Sequence, residues 1–433
     1  MERVTFLGRI SYLIFLNKGR EIRPLTDVRR RAGIKAKEVF MCGRRFLVLV
    51  IFLVFLGQPW LWAKEAEQKP IKIGALFALS GPAAFIGTPT KLVAEMAVAE
   101  INKQGGINHR PLKLVMVDTE GDPTKAVMGV KRLIEVEKVV ALIGPTRTGT
   151  GMAIKPIVER AHIPIVMTVG GDPVIMEGGR FGTARYIFKA PQRSSTAVKK
   201  IYLYLQKKKL HRVAILTASD GFGQDGRRWL KKLAPQFGLM IVGEESFQPS
   251  DTDMTGQLRR LMTKKPDVII CWTIGPAGAI VAKNVRQLGI KVPLFQCHGL
   301  PDPKYIELAG KAAEGNLMPS TKLMAWQELP DDDPQKEVIA HFVKLYNEIY
   351  DLDAKFPINT HSGYAWDAVN LLVRAMKKAG PHPQAIRDEL EKINGYVGIS
   401  GIYRLSPKDH CGLGVDSMII VRIENGKWHL EDY

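Results

Sequence analysis

A chain of 433 residues exceeds what one hydrophobic core usually serves, so two domains are expected. Its 62 basic and 43 acidic residues give +19; residues 1–63 hold 12 basic and 4 acidic of these, which leaves 50 against 39, or +11, on the remainder. That excess does not read as a nucleic-acid interface: Lys207, Lys208 and Lys209 and the pairs at 199–200, 231–232 and 264–265 fall at helix ends or in loops with no aromatic residues interleaved. The charge is taken as a solvated face, and no nucleic-acid partner is expected.

Taken in chain order, the first recognisable unit is a leader. Met41-Cys42-Gly43-Arg44-Arg45 is followed by FLVLVIFLVFLG and QPWLWA, a basic start, an apolar run of about a dozen residues and a small residue, Ala63. This is the layout of a cleavable secretory signal over 41–63. The run falls short of the ~20 residues that a membrane-spanning helix needs. The spacing after Arg44-Arg45 is wrong for a twin-arginine signal, so the general secretory route and a periplasmic product are expected. A signal should open a chain, so residues 1–40 are read as a mis-assigned start or a removed extension. Cys42 precedes the apolar run and cannot be a lipid-anchoring cysteine of such a leader.

From Ile71 onward strands and helices alternate. Strands are expected at 71–77, 112–118, 139–143 and 165–167, with a helix over 123–137 opened by Asp122-Pro123. The strand Tyr186–Ala190 runs into a polar connection at Ala190–Arg193. A second series follows at 213–217, 240–247, 268–272, 293–296 and 316–319. Long amphipathic helices are expected over 333–350 and 360–378, a shorter one over 382–393, then a strand at 402–405. A final hairpin of 416–423 and 427–430 turns on Glu424-Asn425-Gly426. Strands alternating with helices of 10–15 residues imply parallel sheets. The expected fold class is therefore α/β, with two doubly wound parallel-sheet lobes: 71–190 with 321–403, and 191–320 with 404–433.

Enzyme motifs are thin. Asp220-Gly221-Phe222-Gly223-Gln224-Asp225-Gly226 meets a GxGxxG spacing only loosely and has no Lys-Ser/Thr ending, so it is a weak nucleotide signature. There is no GxSxG and no HExxH, and the acidic run Asp331–Asp333 reads as a solvated loop before a helix. Beyond the leader, Cys271, Cys297 and Cys411 lack metal spacing; Cys271 and Cys297 end neighbouring strands, but buried free thiols are expected in preference to a disulfide. No catalysis, metal or cofactor is expected.

The loops after the strands say more. Ile143-Gly144-Pro145-Thr146-Arg147-Thr148-Gly149-Thr150 follows a strand and opens a helix, where hydroxyls and free amides can hold an anion or simply cap the helix. Thr168-Val169-Gly170-Gly171, Asp220-Gly221-Phe222-Gly223 and Cys297-His298-Gly299 occupy the same kind of place. So does Leu79-Ser80-Gly81-Pro82 with Phe85 and Ile86 behind it. All lie at carboxyl ends of parallel strands, and two lobes facing each other across such edges make a cleft.

With these segments in order, the chain resembles the periplasmic solute-binding proteins of the branched-chain amino acid receptor group. The motifs are LSGPAAFIG before AVAEINKQGGI, VDTEGDP, IGPTRTG, DGFGQDG, LGIKVPLFQ with AGKAAEGN, and YRLSPKDHCGLG. The resemblance implies a type I periplasmic binding protein fold with three hinge crossings and a ligand caught by lobe closure. It implies delivery to an ABC importer permease, or sensing for a membrane signalling protein, by a monomer. In amino-acid-binding relatives the carboxylate meets groups matching Thr148, Val169 and Gly171. The ammonium meets an acid at the position of His298, and tyrosines at Phe222 and near Ile274 often assist. Here those places hold His298 and Phe222, neither an acid nor a phenol. Phe85, Ile86, Phe222, Trp272 and Ile274 are expected to line an apolar pocket. Thr146, Thr148, Thr168, the Val169 amide, Gly171 and His298 would hold a carboxylate or amide, with Ser80 and Arg147 as further polar contacts. The expected cargo is a small apolar or aromatic acid or amide, with a branched-chain or other amino acid as the alternative.

Overall fold

The computed structural model describes residues 69–433 apart from 178–179 and 182–183, so the expected leader and the forty residues before it lie outside the described residues. The chain begins with β1 (Ile71–Phe77), α1 (Ala84–Lys103), β2 (Leu112–Asp118), α2 (Pro123–Glu135), β3 (Ala141–Ile143), α3 (Thr148–Ala161), β4 (Ile165–Met167) and β5 (Ile187–Lys189). These strands pair in the order β2-β1-β3-β4-β5, all parallel. The central strands β3 and β4 are apolar along their whole length and β1 is so apart from Lys72, because helices cover both faces. Ile73, Leu142 and Val166 meet Leu371 and Leu372 of a later helix in one core.

The chain then crosses to a second lobe: α4 (Ser194–Lys207), β6 (Arg212–Ala218), α5 (Gly221–Leu233), β7 (Met240–Phe247), α6 (Thr255–Met262), β8 (Val268–Trp272), α7 (Pro276–Gln287), β9 (Leu294–Phe295), α8 (Pro303–Ala309) and β10 (Leu317–Thr321). It returns through α9 (Lys336–Lys344), α10 (Thr360–Ala379), α11 (Pro383–Leu390), β11 (Asn394–Val397) and β12 (Ile402–Arg404). It crosses a third time to β13 (Met418–Glu424) and β14 (Lys427–Asp432). The second sheet runs β14-β13-β10-β9-β8-β6-β7, parallel except where β13 and β14 join antiparallel at one edge. Asn425 and Gly426 turn that hairpin with φ of 51° and 70°, the left-handed pair a two-residue turn needs.

Local chemistry sets the helix starts. Asp122 and Asp220 accept the backbone N–H three residues on, at 2.8 and 2.9 Å, and Asn359 forms a reciprocal cap with Ser362. The helix expected from Asp333 begins only at Lys336. Asp333 is drawn inward instead, taking the Lys322 ammonium at 2.6 Å and the Gln335 N–H at 2.8 Å. It is buried where a solvated loop was expected; Asp331 and Asp332 alone stay exposed. Cys271, Cys297 and Cys411 are buried free thiols, and Cys297 donates to the Thr273 carbonyl at 2.9 Å. Among the described residues no helix is long and apolar enough to cross a membrane, and no group of His, Cys, Asp or Glu could hold a metal ion.

Candidate functional site

On the first lobe, three loops at strand ends are lashed together by hydroxyls. Thr146 Oγ1 accepts the Ala78 N–H at 2.9 Å, joining the loops after β3 and β1. Thr168 donates to the Pro145 carbonyl at 2.8 Å, joining the loops after β4 and β3. Thr148, the first residue of α3, accepts the Gly171 N–H at 3.3 Å. A hydroxyl carries one donor and two acceptor positions. Thr146 and Thr148 are used here as acceptors and each keep an O–H to give; Thr168 has spent its proton. Val169, next in the chain after Thr168, is buried. Ser80 lies apart from them: it is exposed and donates to Asp118 at 2.6 Å. Ile86 is packed inside, at 3% exposure.

On the second lobe, Phe222 opens α5, Trp272 ends β8, and His298 follows β9. Their rings form a cluster with centroids 5.4 Å apart for Phe222–His298 and Trp272–His298, and 5.8 Å for Phe222–Trp272. Trp272 presses flat on α5 because Gly226 has no side chain; a Cβ there would lie 2.3 Å from the indole. His298 is 1% exposed, and neither ring nitrogen has a hydrogen-bond partner; the Trp272 N–H also has none. Burial, with a smaller contribution from Lys189 and His361, pushes the His298 imidazolium down to about 3. The ring is therefore neutral at physiological pH and offers one donor and one acceptor. His361, at the start of α10, is pushed down to about 4 by the same desolvation.

The lobes meet across this cluster. A Cβ on Gly170 would stand 2.8 Å from the Phe222 ring and 3.0 Å from His298 Nε2 across the lobes, while within the second lobe one on Gly299 would stand 2.7 Å from Ile274. Arg147 reaches over from α3 to Asp220 at 3.1 Å, an ion pair between lobes rather than an open anion site. Deeper, the Asp172 N–H donates to the Asp225 carboxylate at 2.8 Å, again between lobes. The acids around the cleft are committed. Asp172 takes Ser194 and Ser195, Asp225 takes Arg228, Asp220 caps α5, and Asp118 holds Leu79 and Ser80.

The model of the family described as "Periplasmic binding protein" matches residues 70–427. The chain belongs to the periplasmic binding protein family. This binding protein is 23% identical to a Leu/Ile/Val-binding protein of Rhizobium johnstonii, over 72% of its own length and 80% of the relative's. It also matches an extracellular ligand-binding receptor from Rhodopseudomonas palustris, with 29% identity, TM-score 0.75, and coverage of 84% of this chain and 99% of that one. A third match is the isoleucine complex of a branched-chain amino acid transporter substrate-binding protein from Streptococcus pneumoniae. It shares the fold at TM-score 0.71 with 22% identity, covering 84% of this chain and all of that one. The binding protein is thus a two-lobed ligand-binding receptor by family and by fold.

Phe85 of the binding protein touches the opposite lobe at Gly275, where a Cβ would come within 3.2 Å of its ring. It walls a small chamber of about 190 Å³ with Leu300, Tyr305 and Leu308, next to a larger flank cavity of about 700 Å³. Sequence reasoning named Gly170 and Gly299 only as members of their loops and passed over Leu300 and His361. The first two act by lacking a side chain opposite an aromatic ring. His361 stands on a helix 63 positions from His298 in the numbering and reaches the cleft only through the return of the chain to the first lobe. No spacing in the sequence carries that information.

Proposed function

We propose that this chain is an exported receptor that captures a small organic solute between its lobes and hands it to the permease of an ABC importer, without chemically altering it. The cargo in this reading is a largely apolar or aromatic carboxylate or amide. Its head group accepts from His298, from the free hydroxyl protons of Thr146 and Thr148 and from the Val169 amide, while its body lies against Phe222, Trp272 and Ile274.

The observation that carries the reading is His298: two unpartnered ring nitrogens at 1% exposure, held neutral inside an aromatic cluster. Buried polar atoms without partners cost about 1–3 kcal/mol each, so a head group that satisfies them is favoured. A neutral imidazole can serve a carboxylate or carbonyl. It cannot neutralise an ammonium, whose burial without an anion is costly. A second reading, a branched-chain amino acid, is favoured by the names of the relatives. Thr148 and Val169 suit an α-carboxylate in either case, so the two readings differ at the ammonium.

Calorimetry decides between them. Benzoate-like acids and their amides should bind and should quench or shift Trp272 fluorescence, while leucine, isoleucine and valine should bind at least tenfold more weakly. Tight binding of leucine or valine without binding of the aromatic compounds would overturn the proposal. A ligand at 100 times its Kd should also stabilise the folded protein by about 2.7 kcal/mol.

A further inference from the structure

α5 carries a basic stripe that the cleft does not use. Arg227 and Lys231, and Arg228 and Lys232, stand four residues apart on one side of the helix. All four line a groove of about 670 Å³, together with Ser219 after β6 and Ser246 near the end of β7. No residue of the Phe222–Trp272–His298 cluster lines it, so the groove is independent of the cargo of the cleft.

No acidic side chain lines the groove either. Two carboxylates outside the lining pair with its cations. Glu244, on the edge strand β7, takes Arg227 and, at 3.0 Å, Lys231; Asp225, buried under α5, takes Arg228 at 2.6 Å. Lys232 lies over the Trp229 ring at 4.9 Å and forms no ion pair among the described residues. Four cations against two carboxylates leave an excess of two positive charges. Donors are also left over: Arg227 and Arg228 each spend one guanidinium nitrogen on an acid and keep the rest of the fork. The Ser246 hydroxyl makes no protein hydrogen bond among the described residues.

We propose that this groove is a second binding site, which takes the phosphate group of a phosphomonoester. Such a group carries about −1.5 to −2 charges at pH 7, which matches the excess, whereas one carboxylate would neutralise half of it. Its oxygens suit guanidinium forks and ammonium groups converging from one helix face. The volume lies in the range of about 300–1,000 Å³ typical of small-molecule pockets, so room remains for an organic body behind the phosphate. A soluble phosphate ester and the headgroup of a phosphatidic acid membrane share this chemistry.

The test is calorimetry on the full exported chain with glycerol 3-phosphate and glucose 6-phosphate, and cosedimentation with vesicles containing phosphatidic acid. Salt is held at about 0.15 M, where attraction between exposed charges is screened beyond about 8 Å. Wild type should bind with one site per chain. The double variant Lys231→Gln with Lys232→Gln should bind at least tenfold more weakly. Lys377→Gln with Lys378→Gln removes the same charge from exposed positions at the end of α10 and should bind within about twofold of wild type. Binding of the esters with this pattern assigns the site to a soluble phosphate, and binding of the vesicles alone with this pattern assigns it to a lipid phosphate. Saturable binding of neither probe, undiminished binding in the Lys231/Lys232 variant, or an equal loss in both double variants would each overturn the proposal.

Discussion

His298 shows how one side chain links stability to chemistry. Its folded-state titration lies near 3, below the 6.5 of an exposed histidine, because burial disfavours the charged ring. Above pH 6.5 the ring is neutral in both folded and unfolded chains and its protonation exerts no pull. Between 6.5 and 3 the unfolded chain takes up the proton first, so the protein loses stability as pH falls through that window. The buried carboxyls Asp225, Asp302 and Asp367 are pushed up to about 6 and work in the opposite direction below that pH. The contribution of His298 is therefore read as a difference. The stability of wild type minus that of His298→Phe should be constant above pH 6.5 and fall by up to about 1.4 kcal/mol per pH unit below it. Urea unfolding of both proteins from pH 4 to 8 checks this, and parallel curves would refute it. The resemblance led to the expectation of an acid where this sequence has His298, but nothing in the sequence showed that its nitrogens stand dry and unpaired. That follows from Phe222 and Trp272, which arrive from two other strand ends.

At the scale of elements, the glycine motif that opens α5 has a use quite different from cradling phosphate. A Cβ on Gly223 would stand 2.0 Å from the Ala218 carbonyl at the end of β6, and the same relation recurs on the other lobe between Gly87 and Ala78. Both helices can lie close to the strand that precedes them only because a glycine faces the strand end. Gly226 gives the same room to Trp272. Gly223→Ala meets backbone that cannot swing away, so it should destabilise by at least about 1–3 kcal/mol, the range of overpacked cores. Denaturant titration measures this, and a loss under 0.5 kcal/mol would show that α5 can shift freely. Element positions were readable from period and capping: β1, β2, β4, β7 and β8 occupy the residues that the apolar runs predict. The ends of α9 and β9 were not, since they depend on Asp333 turning inward and on how few residues of β9 pair with its neighbours. The β11–β12 pairing joins residues whose partner strand carries no alternation of its own.

Across the whole molecule, the lobes are held together by contacts of two kinds. The inner one, Asp172 N–H to Asp225, is buried and sits beside the crossing segment that carries Lys189, Gln192 and Ser194. The outer one, Arg147–Asp220, is partly exposed, with side-chain exposures of 28% and 22%. The outer pair must break whenever the cleft opens wide enough to admit a solute, whereas the inner bond lies close to the crossing and moves less. The outer pair therefore acts on the open–closed balance. Partly exposed ion pairs contribute about 0.2–1 kcal/mol, so its removal should shift that balance by a factor of about 1.4 to 5 toward the open form. Ligand affinity should weaken by a similar factor, because a closed state that is less populated charges its cost to binding. Asp220→Asn is the cleaner probe, since asparagine still caps α5; Arg147→Ala removes the other partner. Small-angle scattering of the ligand-free proteins should give a larger radius of gyration for each single variant. The double variant should match the singles if the two residues act only through each other. Unchanged scattering and affinity in both singles would mean that closure is set by the aromatic cluster and the buried Asp225 contact alone.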